Sequence, residues 1–240
     1  MSSVILLSGG LDSATLAAWA QQTRDSTLIA VSFNYGQKHT RELLAARRVA
    51  EYFQMPHDIL AVDPLIFKGA QSTLVGDMLP NPHMTYEELA QAQGVSPTYV
   101  PYRNAIFISM ATAVAMTVGA EEVLIGVHAE DARNWAYPDC SPEFIGAQAA
   151  AIYVGTYHKV RLIAPFQFWT KPHIVKYGLE LNVPYHLTWS CYEGHSTPCH
   201  QCPTCVEREM AFATNGAKDP LNDPPWNQKH FQVKHDPNPY

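Results

Sequence analysis

Short apolar runs alternating with helical segments constrain this chain more than any other feature. Residues 3–7, 27–33, 57–62, 122–126 and 161–164 read as strands, and residues 12–22, 40–53, 105–119, 142–155 and 171–181 carry apolar side chains at helical spacing. The alternation predicts an α/β fold, an open parallel sheet of about five strands with helices on both faces. At 240 residues, 47% of them hydrophobic, the chain is long enough for one substantial core. Residues 105–119 are apolar enough to predict a largely buried helix. Residues 68–99 hold Gly, Pro, Ser and Asn with one short helical pattern at 86–93, and so long an irregular stretch predicts a functional loop or lid.

Charge narrows the partners. The net charge is −6 and the 16 Lys and Arg are scattered, which argues against nucleic acid and for a small-molecule substrate. The longest nearly uncharged apolar run, 105–118, is shorter than the roughly 20 residues that cross a bilayer. No basic segment precedes the first apolar residues, so a cytoplasmic protein with no membrane partner is expected.

The first strand runs into Ser8-Gly9-Gly10-Leu11-Asp12-Ser13. In open α/β sheets ligands bind beyond the carboxyl ends of the strands, which is where this loop lies. Two glycines let the backbone approach a ligand closely, and the N–H groups opening the next helix favour an anion. Ser8 and Ser13 add hydroxyl donors, so a phosphate or pyrophosphate fits. A Walker A loop would need a lysine that is absent here.

Four of the five cysteines, Cys191, Cys199, Cys202 and Cys205, are spaced Cys-x7-Cys-x2-Cys-x2-Cys. Such short spacings suit one metal rather than disulfides, and four thiolates close tetrahedrally around Zn²⁺ with no open position, a structural site. An iron–sulfur cluster is the competing reading. His195 and His200 lie inside the segment and read as bystanders. Cys140 reads as a small buried hydrophobe, with a site role as the alternative because it adjoins Asp139. The chain thus divides into an α/β domain (1–188), a small C-terminal zinc-binding segment and helix packed on it (189–214), and an extended tail (215–240).

Ser-Gly-Gly-x-Asp-Ser after a first strand resembles the PP-loop of the ATP pyrophosphatases, which cleave ATP between the α and β phosphates. With "FNYGQKHTREL" (33–43), "VPYRNAIF" (100–107), "GVHAED" (126–131), "YPDCSPEF" (137–144), Thr170-Lys171 and "TWSCYEG" before the later cysteines, the chain resembles the 7-cyano-7-deazaguanine (preQ0) synthase family, QueC. The resemblance implies the adenine nucleotide alpha hydrolase-like PP-loop fold and an ATP-dependent carbon–nitrogen ligase of queuosine-type biosynthesis. It would use ATP and Mg²⁺ to adenylate 7-carboxy-7-deazaguanine, displace AMP with ammonia, and adenylate the amide to leave a nitrile.

On that resemblance Ser8, Gly9, Gly10, Asp12 and Ser13 hold the phosphates, flanked by Leu7 and Leu11 and supported by Ala14, Thr15, Leu16 and Ala17, with Phe33 at the adenine. Arg103 and Asn104, just before the buried helix, meet phosphate or carboxylate. Asp131, Asp139 and Glu143 read the guanine-like edge, and Tyr35, Gln37 and Lys171 complete the site. Catalysis falls to Ser8, Asp12, Ser13, Arg103 and Lys171, and the metal is one structural Zn²⁺. Family members are often dimers, so a homodimer is the implied assembly. Tyr102, and Gly194-His195-Ser196 in the zinc loop, depart from the family pattern. Rival readings are a relative that stops at 7-amido-7-deazaguanine, a tRNA-thiolating PP-loop enzyme, and a zinc-organised binding module.

Overall fold

The computed structural model describes residues 2–75, 80–83, 88 and 95–222. Five strands form, β1 (Ser2–Leu6), β2 (Thr27–Asn34), β3 (His57–Ala61), β4 (Glu122–Leu124) and β5 (Arg161–Ile163), in the order β3-β2-β1-β4-β5 with every pairing parallel. The helices are α1 (Leu11–Thr23), α2 (Arg41–Tyr52), α3 (Arg103–Val118), α4 (Pro142–Gly155), α5 (Lys171–Glu180) and α6 (Pro203–Thr214). The predicted α/β architecture is observed.

Period-two alternation splits the strand residues between two cores. Ile5, Leu28, Ala30 and Leu124 point to the face covered by α1, α2, α5 and α6, where Leu16, Val49, Ile174 and Phe212 meet them. Val4, Val31, Val123 and Leu162 point to the other face, where Ile108 and Ala111 of α3 and Ile145 and Ile152 of α4 close the layer. Connections leave β1 toward β2 on one side and β4 on the other, so the crevice beyond the carboxyl ends of β1 and β4 is the switch point at which open sheets bind ligands.

Three local expectations are corrected. The helix expected at 105–119 begins at Arg103, so Arg103 and Asn104 are its first turn rather than residues preceding it. Nor is it largely buried: as an outer layer it hides only a stripe of Ala105, Ile108, Ala111 and Ala115, and leaves Met116 and Val118 exposed. The segment taken as tail packs as far as residue 222, because Arg208 of α6 makes a bidentate pair with Asp219 (2.7 and 2.9 Å) and Leu221 is buried; its remainder lies outside the described residues.

Of the irregular stretch, Val75 bridges Gln37 and the Thr73 N–H donates to Pro97 O (2.9 Å), which ties its two ends to the sheet's carboxyl edge. The short helix expected at 86–93 falls almost wholly outside the described residues. Among the described residues no helix is long and apolar enough to cross a membrane.

Candidate active site

The loop after β1 is built by steric necessity at Gly9. Its φ is +83°, and a Cβ there would lie 2.2 Å from Glu42 O and 2.6 Å from Ala46 N, so only glycine lets α2 sit against the loop. Gly10 caps α1 without a side chain, and the Ser13 hydroxyl donates to Gly10 O (3.1 Å) while receiving the Ser8 hydroxyl (3.1 Å). The first N–H groups of α1 have no intrahelical acceptors, as at any helix start, and with the dipole they make an anion cradle.

Asp12 opens into the crevice, and its Oδ2 accepts from Lys171 Nζ at 2.7 Å. Burial alone would raise the Asp12 pKa, but Lys171 and His128 outweigh it and hold the carboxyl below its ordinary range. Lys171, 8% exposed, is fixed three ways: its backbone N–H donates to Glu130 Oε2 (2.6 Å), and its ammonium lies between Asp12 and Glu207 Oε2 (3.5 Å). Burial works against its charge, yet Asp12, Glu207 and Asp131 raise its pKa, so it stays a cation. Asp12 Oδ1 is buried with no hydrogen-bond partner, an oxygen available to a bound cation.

A cavity of about 290 Å³ joins this loop to the ends of β2 and α3. Phe33 lines it with one ring face stacked on Phe107 (4.1 Å between centroids). Arg103 Nη1 donates to the Tyr35 hydroxyl (2.9 Å), and burial lifts the Tyr35 pKa to about 12 against the pull of Arg103. Asp139 Oδ2 accepts the Asn104 N–H (3.0 Å), so it caps α3 besides lining the cavity, and Asn104 Nδ2 donates to Cys140 Sγ (3.1 Å). Burial, with Asp131 and Asp139 adding, pushes the Cys140 pKa well up, so the sulfur is a thiol rather than a nucleophilic thiolate.

Of the residues singled out in the sequence, Leu7, Ser8, Gly10, Leu11, Asp12, Ser13, Phe33, Tyr35, Gln37, Arg103, Asn104, Asp131, Asp139 and Lys171 share this cavity. Ala14, Thr15, Leu16 and Ala17 lie beneath it in the core, where Thr15 bonds the Tyr185 hydroxyl (2.8 Å). Glu143 does not reach it: exposed in the first turn of α4, it faces solvent, where its charge suits the helix dipole. Sequence reasoning missed Glu42, Ser190, Thr204 and Glu207, all cavity-lining. Glu42 stood inside a quoted motif; Glu207 carried no signal beyond its nearness to Cys205.

The Sγ atoms of Cys191, Cys199, Cys202 and Cys205 lie within 4.8 Å of one another. A tetrahedral ion with bonds of about 2.3 Å would hold sulfurs about 3.8 Å apart, so the four are placed to hold a single metal. Backbone N–H groups of Glu193 and Cys199 donate to Cys191 Sγ and that of Cys202 to Cys199 Sγ (3.3–3.4 Å), as thiolate ligands require.

A family model described as queuosine biosynthesis protein QueC matches residues 2–216. A 7-cyano-7-deazaguanine synthase of Archaeoglobus fulgidus is 42% identical over 94% of this chain and 92% of its own length. The Marinobacter nauticus 7-cyano-7-deazaguanine synthase is 41% identical over 92% of this chain and 96% of its own. Among solved structures, the U34-tRNA thiolase NcsA from Methanococcus maripaludis with its 4Fe-4S cluster aligns with a TM-score of 0.50 at 18% identity, covering 90% of this chain and 66% of that one, a likeness of fold.

Proposed function

The chain belongs to the QueC family, and from that membership we propose that it is an ATP-dependent ligase converting 7-carboxy-7-deazaguanine and ammonia to 7-cyano-7-deazaguanine, with release of AMP and pyrophosphate. The observation that carries this reading is the single cavity in which the anion-cradling loop, Lys171 and Arg103 line one space with Asp131 and Asp139.

In this reading the α1 N–H groups, Ser8 and Ser13 receive the departing pyrophosphate, and Lys171, held by Asp12, adds fixed positive charge where negative charge develops. Mg²⁺ would neutralise charge on the triphosphate when bound, and the unpartnered Asp12 Oδ1 is the oxygen that would face it. Phe33, packed by Phe107, offers an apolar edge to adenine. Arg103, its charge held by Tyr35, Glu42 and Asp139 despite burial, suits a carboxylate awaiting adenylation. Asp131 and Asp139 accept the paired N–H donors of the aminopyrimidinone. The four cysteines hold one Zn²⁺ that fixes α6, and with it Glu207, against Lys171.

A homodimer is proposed on the apolar outer face of α4, where Ala147, Ala150, Ala151 and Val154 are exposed.

Incubation with 7-carboxy-7-deazaguanine, ATP, Mg²⁺ and an ammonium salt should give nitrile by mass spectrometry with AMP formed twice per product. Amide accumulating with AMP formed once would mean that the chain stops halfway. Absence of AMP would overturn the substrate assignment.

A further inference from the structure

Glu42 occupies the first turn of α2, whose backbone rests on Gly9 of the anion-cradling loop. Glu42 lines the cavity, and the hydrogen bond to its carboxyl among the described residues comes from a neutral amide, Gln37 Nε2 at 3.1 Å. Gln37 cannot turn to offer its oxygen instead. That oxygen accepts the Tyr35 N–H (2.9 Å), and its nitrogen also donates to Phe33 O (3.2 Å), so both ends of the amide are set by the backbone at the end of β2.

The charged and titratable groups that share this part of the cavity are Tyr35 from the end of β2, Lys38 and His39 from the loop after it, Arg103 from α3 and Tyr192 from the cysteine segment. Among the described residues Glu42 forms no ion pair. The other cavity carboxyls are committed: Asp12 and Glu207 to Lys171, Asp131 to His128 (3.3 Å), Asp139 to the start of α3. Burial lifts the Glu42 pKa to about 7, with Arg103 and Gln37 pulling the other way, so the group exchanges protons near neutrality.

Both halves of the reaction proposed above expel protons from nitrogen. We propose that Glu42 is the general base for both, taking the proton that makes ammonia a nucleophile and the one whose loss makes the nitrile. This rests on the QueC-type reaction assigned above. In the first half, ammonium gives a proton to the Glu42 carboxylate, and the freed lone pair forms the C–N bond at the acyl-adenylate carbon. The adduct's ammonium proton passes to water, and the C–O bond breaks with its electron pair leaving on AMP. In the second half, the O-adenylated amide carries a C=N–H group. Glu42 takes that hydrogen as a proton, the N–H pair becomes the third C–N bond, and the C–O pair again leaves on AMP. Between steps Glu42 returns its proton to water.

Adenylation of a carboxylate needs no base, so Glu42→Gln separates the steps. Expected for the variant is substrate-dependent exchange of labelled pyrophosphate into ATP near the wild-type rate, with amide and nitrile formation lower by about 10²–10⁴-fold. The wild-type break in kcat/KM near pH 7 should vanish in the variant, whose residual rate with ammonia should instead track the free-amine fraction across the whole range. Hydroxylamine, which is largely neutral where ammonia is protonated, should restore a hydroxamate product. Loss of exchange together with product would overturn the proposal and place Glu42 in binding or adenylation. Wild-type nitrile formation by the variant would overturn it as well. A wild-type enzyme with no exchange on 7-carboxy-7-deazaguanine would instead overturn the substrate assignment and the proposal with it.

Discussion

Asp12 and Glu42 face the same cavity from α1 and α2, and their surroundings drive them in opposite directions. Asp12 meets an ammonium at 2.7 Å and is held ionised; Glu42 meets an amide at 3.1 Å and is lifted to about 7. The difference is the hydrogen-bond partner, an ammonium on one wall and a neutral amide on the other, where Arg103 acts on Glu42 from beyond hydrogen-bond reach. It divides labour: the Asp12 wall is a fixed charge array suited to phosphates, and the Glu42 wall is suited to moving protons.

Lys171→Met should have the largest effect, because it removes the cation that makes the two walls unlike. Turnover should fall by on the order of 10²–10³-fold. Stability should fall by about 3–5 kcal/mol as Asp12 and Glu207 lose their buried counter-ion. AMP release and denaturant unfolding measure the two. Wild-type turnover in a destabilised variant would make the Asp12–Lys171 pair purely structural.

Gly9→Ala attacks the point where the walls touch. The new Cβ would meet the backbone of Glu42 and Ala46 at 2.2 and 2.6 Å, and φ +83° strains any L residue. Strain alone costs about 1–3 kcal/mol, and displacement of α2 should weaken ATP binding. Thermal unfolding and nucleotide titration check this; an unchanged variant would mean that α2 can retreat from the loop freely.

The Asp12 wall was far more legible in the sequence than the Glu42 wall. A strand, two glycines, Asp12 and a helix are local features, and the anion cradle follows from backbone geometry alone. The five strands were legible for the same reason, since short apolar runs between helical segments need no tertiary knowledge. Lys171 was named, but its tie to Asp12 spans 159 residues, and no spacing rule carries that far. Glu42 drew no role of its own although it stood inside a quoted motif; only the packing of α2 on Gly9 and the orientation of Gln37 turn it to the cavity. Glu143 shows the reverse error, a motif residue that the fold leaves in solvent. Asp139 shows a third case, in which a residue read for substrate also caps α3.

Cys202→Ser tests the arm that carries Glu207 to the Asp12 wall. The variant should bind less zinc and melt lower together, by roughly 2–4 °C for each kcal/mol lost. Through Glu207 it should impair pyrophosphate exchange, while the pH break assigned to Glu42 persists. Metal loss with unchanged melting would break the structural role given to the four thiolates.

The smallest effect is also the sharpest test of the contrast, because the two carboxyls have opposite signs in the pH dependence of stability. Asp12 has a folded pKa below its unfolded value near 3.9, so its contribution is present above that pH and is lost as pH falls through the folded pKa. Glu42 has a folded pKa near 7 against an unfolded value near 4.3. The folded state therefore favours its proton, and stability present below about 4.3 is lost as pH rises through about 7. A glutamine cannot ionise and escapes that loss. Glu42→Gln should match the wild type in urea unfolding below about pH 4, gain on it steadily through the interval, and exceed it above about pH 7 by a constant margin. A variant that is both more stable at neutral pH and inactive in amidation would show a buried carboxyl kept against stability for its chemistry. A margin independent of pH would mean that water reaches Glu42 freely, and the two walls would then differ in partner but not in proton affinity.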